Sequence, residues 1–462
     1  MAHIQSGATA DLATVDPVLK ALYVAVKNTL KTEFSADNFM LDSFARLRVS
    51  EPRIAFEFTF GPQLVSGATT IWESAAVASG TAALTANLYG QDLSSLLTSG
   101  SGYWIQSYNH VKYAPGISTL VRFTFNFNEL TTNVRQRVGV FTDQGTFPSN
   151  AGDGLYLEAD SQSIAFVRRY LTTGAVGAEE RVLRSAWNKD KLDGTGASGV
   201  TLDFTKAQHL VIEYQWLGVG TIRFGFETGT KGVIWAHEMV SVNGLTQAWS
   251  RTGSLPVRAE IYNTGVTTQA GKLTLINVCV MQEGDVGDFR GWKYFGGNSG
   301  ATGKVGGTAA GLYPVLSLRA ASTNDLTKRT KVIPTSVSIT VAVVSTGATS
   351  LQVALLTLPT PNTGASFAVT PGGSLTTIDI AATAATAVTG SAIWNAIVPN
   401  VVGTYTFDLK TMNDNANVIG YNAAGTVAIT GPSVLTLAVG PLTGTATVGA
   451  TIAAAINWKE IG

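Results

Sequence analysis

A chain of 462 residues is long enough for two or three domains, and all-β domains alone often run to about 200–250 residues. Its 31 basic and 31 acidic residues cancel, so no long-range field favours capture of nucleic acid or of an anionic membrane, and neither is expected as a partner. Charged residues are only 13% of the chain against roughly 25% in ordinary soluble proteins, a balance that suits strands, turns and a surface partly covered by neighbours.

Residues 16–34, DPVLKALYVAVKNTLKTEF, carry the first predicted element. Asp16 is placed to cap a helix and Pro17 suits its first turn. Leu19, Leu22, Tyr23, Val26 and Leu30 then fall at amphipathic helical spacing, with Lys20, Lys27 and Lys31 off the stripe. Such a helix lies either against its own domain or on another subunit. The opening MAHIQSGATADLATVDP has neither a charged nor an apolar leader region, and no run approaches about eighteen apolar residues, so synthesis in a cytoplasm is expected.

From Arg53 to Glu283 the pattern is strand, turn, strand. RIAFEFTF puts Ile54, Phe56, Phe58 and Phe60 on one face, and LVRFTFNFNEL does the same with Val121, Phe123, Phe125 and Phe127. RQRVGVFT, GLYLEA, SIAFVRRYL, HLVIEYQW, TIRFGFE, VIWAHEMV, VRAEIYN and KLTLINVCVM follow. Many short strands with Gly, Asn, Asp and Ser turns predict a jelly-roll-like sandwich over 53–285. In EYQWLGVGTIRFGFE, a three-residue loop at 218–220 with left-handed Gly220 would set Trp216 opposite Ile222, Tyr214 opposite Phe224 and Ile212 opposite Phe226. Gln215 and Arg223 would then face each other on the outside. Cys279, the single cysteine, cannot pair within the chain and reads as a small buried hydrophobe.

Residues 286–312 are Gly-rich and read as a linker, although Phe289, Trp292, Tyr294 and Phe295 are aromatics that ordinarily dock. VIPTSVSITVAVV, TSLQVALLTL, LTTIDIAAT, GTYTFDLKT, SVLTLAVG and ATIAAAINWKEIG predict a second β-sandwich over 313–462. Asp379 is the only charged residue between Val332 and Phe407, which implies either a face turned to protein or a Thr/Ser-coated surface. The expected fold is therefore all-β, two sandwiches preceded by an arm over residues 1–52 with a short helix.

Chemistry-bearing motifs are sparse. Gly194, Gly196 and Gly199 match G-x-G-x-x-G, but VTLDFT follows and alternates as a strand, so the match reads as a turn. Asp190 and Asp193 could help hold calcium; without the full oxygen-ligand loop, Asx turns are the expected use. His3, His110, His209 and His237 lack ligand spacing, no G-x-S-x-G elbow occurs, and no metal or cofactor is expected. Carboxylate pairs for glycoside hydrolysis assemble only in three dimensions, and nothing singles one out. Trp104, Trp187, Trp216, Trp235 and Trp249 could stack on sugars if exposed, but most of the tryptophans sit in alternating runs that point to core packing.

Several stretches resemble a family of virion structural proteins of tailed bacteriophages. DSFARLRVSEP, Asp42–Pro52, is similar to its N-terminal signature, although Ala45 stands where the family tends to have Gly. WNKDKLDGTGASGVTLDFTKAQ, Trp187–Gln208, and QWLGVG are similar to its central block, with Ala197 where Pro is usual. VKYAPGIS, RAEIYNTG and the terminal INWKEIG add shorter matches, and the resemblance covers roughly residues 42–285. It implies a non-enzymatic, β-rich virion protein of capsid, collar or tail, assembled in the host cytoplasm; as an extension of this structural reading, a homo-oligomer is expected, with a trimer as one form. On that reading Leu19, Leu22, Tyr23, Val26, Leu30, Phe44, Arg46 and Arg48 carry docking to other virion proteins. A receptor- or glycan-binding fibre module, with a host glycan as partner, is the alternative, and a depolymerase a third class.

Overall fold

The computed structural model describes residues 52–62, 71–77, 83–111, 113–143, 147, 152–170, 178–229, 231–284, 292–297, 304–305, 311–320, 331–358, 367, 376–379, 387–388, 390–409, 434–442 and 450–461. They form an all-β protein. Save one 3-10 turn at Arg184–Ala186, the regular structure is antiparallel strand in four sheets, a jelly-roll-like sandwich followed in sequence by a second sandwich.

The first sandwich has an eight-stranded sheet in the order β13 (Val233–Met239), β12 (Ile222–Glu227), β11 (Gln208–Tyr214), β6 (Thr119–Asn126), β15 (Lys272–Glu283), β4 (Gln91–Ser94), β3 (Ala83–Ala86). The strand β1 (Pro52–Thr59) also pairs with β15. Opposite lies a seven-stranded sheet, β10 (Ala178–Leu183), β9 (Ser163–Tyr170), β8 (Gly154–Asp160), β7 (Val134–Phe141), β14 (Pro256–Asn263), β5 (Gly102–His110), β2 (Trp72–Val77). The chain crosses between the two sheets repeatedly, as from β5 to β6, β6 to β7 and β14 to β15, so each sheet combines runs of consecutive strands, β7–β10 in one and β11–β13 in the other, with strands remote in sequence.

Alternation decides the core. Val121, Phe123, Phe125 and Phe127 point inward and are at most 1% exposed, as are Ile212, Tyr214, Ile222, Phe224 and Phe226. Phe166 of β9 stacks on Phe224 at 4.5 Å and on Trp187 at 4.2 Å, joining the sheets through ring faces. Phe56, Phe58 and Phe60 surround Trp72, but Ile54 is half exposed because a bulge between Ile54 and Phe56 breaks the expected row. The rings pack against one another across the inter-sheet space.

The β11–β12 hairpin keeps the expected parity with a different register. Tyr214 pairs with Ile222, Ile212 with Phe224 and Leu210 with Phe226, two residues away from the three-residue-loop arrangement. The loop runs over 215–221, still odd in length, because Trp216 leaves the ladder: its Nε1–H donates to Ser250 O at 3.1 Å and its ring meets Tyr113 edge-on. The left-handed residues are Leu217 and Gly218, not Gly220. Gly220 is required for another reason, since its N–H bonds Trp216 O at 2.8 Å and an added Cβ would overlap the Gln215 carbonyl oxygen. Across the outer face Arg223 consequently meets Glu213, not Gln215, in a buried pair at 2.9 Å.

The second region holds two five-stranded sheets. One runs β16 (Trp292–Gly297), β25 (Ala450–Ile461), β19 (Lys331–Val343), β23 (Gly403–Asp408), with β17 (Lys304–Val305) also on β25. The other runs β21 (Thr376–Asp379), β18 (Tyr313–Ala320), β24 (Val434–Pro441), β20 (Ser350–Leu358), β22 (Ser391–Pro399). Val337, Ile339, Ile456 and Trp458 from the first and Val353, Leu355 and Leu437 from the second fill the space between them. The expected linker over 286–312 is corrected in its described part: Trp292–Gly297 is a full strand on β25, and Tyr294 stacks on Trp458. Glycine marked flexibility by composition, whereas the interleaved aromatics hold this segment in the sheet. Cys279 is corrected too; it lies half-buried on the outer side of β15, between the core residues Val278 and Val280, and burial, then Glu57, raises its thiol pKa.

Candidate functional site

The densest polar cluster among the described residues lies on the outer face of the seven-stranded sheet. On β7, β8, β9 and β14 the positions opposite the core row carry Arg137, Glu158, Arg169, Arg258 and Glu260. Although this face points away from the inter-sheet core, all five are at most 2% exposed.

Arg137 is the centre. Its Nε–H donates to Glu158 Oε2 at 2.6 Å and its Nη1–H to Glu260 Oε1 at 3.0 Å, while Nη2 lies 3.5 Å from Glu179. Arg258 donates to the second oxygen of Glu260 at 3.0 Å and to Gln106 Oε1 at 3.0 Å, and reaches Asp143 at 3.4 Å. Arg169 binds the Thr142 carbonyl and Arg181 closes on Glu158. Aromatic faces fill the gaps: Arg258 lies 4.7 Å from the Trp104 ring centre and Arg137 4.9 Å from that of Tyr156. Tyr156 donates its phenolic O–H to Glu179 at 2.9 Å.

The electrostatics follow from this pairing. Burial alone would raise the Glu260 pKa, but Arg258, Arg137 and Arg169 outweigh it and hold the carboxyl down at about 2. Burial pushes the Tyr156 phenol upward, against the pull of Arg137 and Arg169. Desolvation disfavours the Arg137 cation, yet Tyr156, Glu158 and Glu260 leave its pKa raised. A general acid at neutral pH needs a carboxyl that keeps its proton, and Glu260 is tuned the opposite way. The chemistry of this face is that of a closed charge lattice.

The other predicted features are placed as follows. Asp190 accepts Leu192 N–H and Ser198 N–H, both at 2.8 Å, one on each carboxylate oxygen, and Gly196 is needed because a Cβ there would overlap that carboxylate. Asp193 accepts Thr195 N–H at 2.9 Å and its hydroxyl at 2.6 Å, so both acids form Asx turns. Gly194 and Gly199 take left-handed turns; no helix follows, and VTLDFT contributes only the Thr201 bridge to Asp193, in place of the expected strand. His209 lies 3.2 Å from Glu227, and His237 Nδ1 accepts Asn188 N–H at 3.2 Å; burial first lowers both pKa values. His3 lies outside the described residues, and these contain no group of three His, Cys, Asp or Glu placed to hold a metal. Trp104, Trp187, Trp235 and Trp249 are at most 6% exposed and Trp216 is half-buried, so none is a free stacking surface. A cleft of about 400 Å³ opens at one end of the sandwich beside Leu130, Gln162, Leu183, Asp203 and Phe204.

Leu19, Leu22, Tyr23, Val26, Leu30, Phe44, Arg46 and Arg48, the residues expected to dock, and the helix expected over 16–34 lie outside the described residues. The lattice was not anticipated from the sequence. Its signal was present, since RQRVGV, YLEA, FVRRY and VRAEIY each place a charge opposite the apolar row, but nothing in one strand tells which charges will be neighbours.

No family model and no curated protein matches the chain. Among solved structures, similarity extends to a Bacillus licheniformis beta-glucanase, 12% identical over 50% of this chain and 97% of that one, with a TM-score of 0.29. The carbohydrate recognition domain of Emp47p is 11% identical over 51% and 98%, with a TM-score of 0.30. A protein of unknown function, SO2946 from Shewanella oneidensis MR-1, is 9% identical over 60% and 98%, with a TM-score of 0.35. At these scores the likenesses carry no argument about activity or ligand.

Proposed function

We propose that this chain is a non-enzymatic structural component of a tailed-phage virion, of decoration, collar or fibre type, which docks through residues 1–52 and associates with copies of itself. The observation that carries the non-enzymatic part is the saturated lattice: Glu158 and Glu260, the most buried acids of the large sheet face, are each shared between two arginines. The resemblance of DSFARLRVSEP and of the Trp187–Gln208 block supports the virion setting. Self-association is supported by the charge-poor second region, where Val343, Val344, Val401 and Val402 are each more than 40% exposed. Asn400 joins their two loops, donating to Ser345 O at 2.7 Å and Ala348 O at 2.8 Å.

Deleting residues 1–41 tests the docking arm. The expected product is soluble and folded, and fails to join particles in a complementation assay scored by blotting purified virions. Normal incorporation of the truncated chain would overturn the arm's role.

A further inference from the structure

The outer face of the sheet formed by β16, β25, β19 and β23 carries an exposed aromatic ring beside a row of amide and hydroxyl side chains. Tyr294 and Trp458 pair on its inner side, so the register sets Phe295 and Asn457 opposite each other on the outside. Phe295 is 76% exposed, and Gly296 and Gly297 after it raise no side chain to shield the ring. The same row continues across β19, where Asn457 Nδ2–H donates to Ser336 Oγ at 2.7 Å. Next to it, Ser338 and Thr406 share a hydroxyl bond at 3.1 Å, and Thr340 and Thr404 another at 2.9 Å. Alanines Ala453 and Ala455 keep the middle of the face low.

We propose that this face binds a neutral saccharide, with a pyranose ring stacked on Phe295 and its hydroxyl groups bonded to the Asn457 carboxamide and the adjoining Ser and Thr hydroxyls. A pyranose presents an apolar C–H face ringed by alcohols, and this surface presents the complement: one bare aromatic ring beside amide and hydroxyl groups, with Asp408 closing the row opposite Ser336 and Lys293 at the next outward position before the ring. Adjacent strands stand about 4.8 Å apart, close to the length of one sugar unit, so a short extended chain can meet successive strands in register. A protein partner of ordinary chemistry would need a broader apolar centre than one ring. The inference stands whether or not the chain is a virion component.

The test applies the full 462-residue chain to arrayed neutral oligosaccharides and measures affinity for the best binder by calorimetry. Phe295→Ala is expected to weaken binding about ten-fold or more, Phe295→Trp to retain it, and Asn457→Ala to weaken it at unchanged thermal stability. Because the Phe295 ring is exposed, its removal is expected to leave the fold intact; should that variant unfold, Asn457→Ala carries the test. Absence of any sugar binding by the parent chain, or binding that Phe295→Ala and Asn457→Ala leave unchanged, overturns the proposal. So does a Phe295→Ala variant that changes only the sedimentation coefficient, since the face would then be a contact between copies.

Discussion

Arg137 shows how one side chain organises a surface of this molecule. It is 1% exposed and serves Glu158 and Glu260 at once, which together with Arg258 and Arg181 leaves each carboxylate compensated. Replacing Arg137 with Met keeps much of its volume and strands two buried acids, with an expected cost of about 3–5 kcal/mol in urea unfolding at pH 7. Glu260 adds a pH signature. Its ordinary value of 4.5 falls to about 2 on folding, so the unfolded chain takes up the proton first as the solution is acidified. The stabilisation from this group is complete above pH 4.5 and is lost as pH falls toward 2. Glu260→Gln is expected to be less stable at pH 7 and to show a flatter loss of stability across that window, as followed by thermal melts at stepped pH.

Elements in this fold are specified by alternation and corrected by loops. The β11–β12 hairpin has its inner rows where parity puts them, because a slip by one residue would turn Ile212, Tyr214 and Phe224 outward. A slip by two leaves parity intact, and the choice between the two registers falls to Trp216, whose partners Ser250 and Tyr113 are distant in sequence. Gly220→Ala is therefore expected to destabilise the sandwich by at least about 1–3 kcal/mol through overlap with the Gln215 carbonyl, measured by urea midpoint. A preserved midpoint would refute this role for the loop. The strand β5 illustrates a missed element: Tyr103 and Ile105 point to the core while Trp104 and Gln106 enter the charge lattice, so both faces are buried and the sequence GYWIQSYNH shows no clean alternation.

At the scale of the whole molecule, all strands of the first two sheets come from residues 52–283 and all strands of the other two from 292–461. The Gly-rich stretch between them is not wholly a connection, since β16 and β17 complete the edge of β25. A fragment of residues 292–462 is expected to melt several degrees above one of 313–462, which lacks both strands and the Tyr294 stack on Trp458. Equal melting temperatures would show that β16 adds nothing to the second sandwich.

By itself the sequence determined the all-β class, ten strands of the first region and the inward rows of Phe123, Phe125, Phe224 and Phe226, because a side-chain period of two is a local property. Only the tertiary structure decided that charges opposite those rows close into one lattice, that Trp216 resets a hairpin, and that Phe295 stands bare beside Asn457. Pairing between strands far apart in the chain chooses each residue's neighbours, and a strand's own pattern holds no record of which strand will lie beside it.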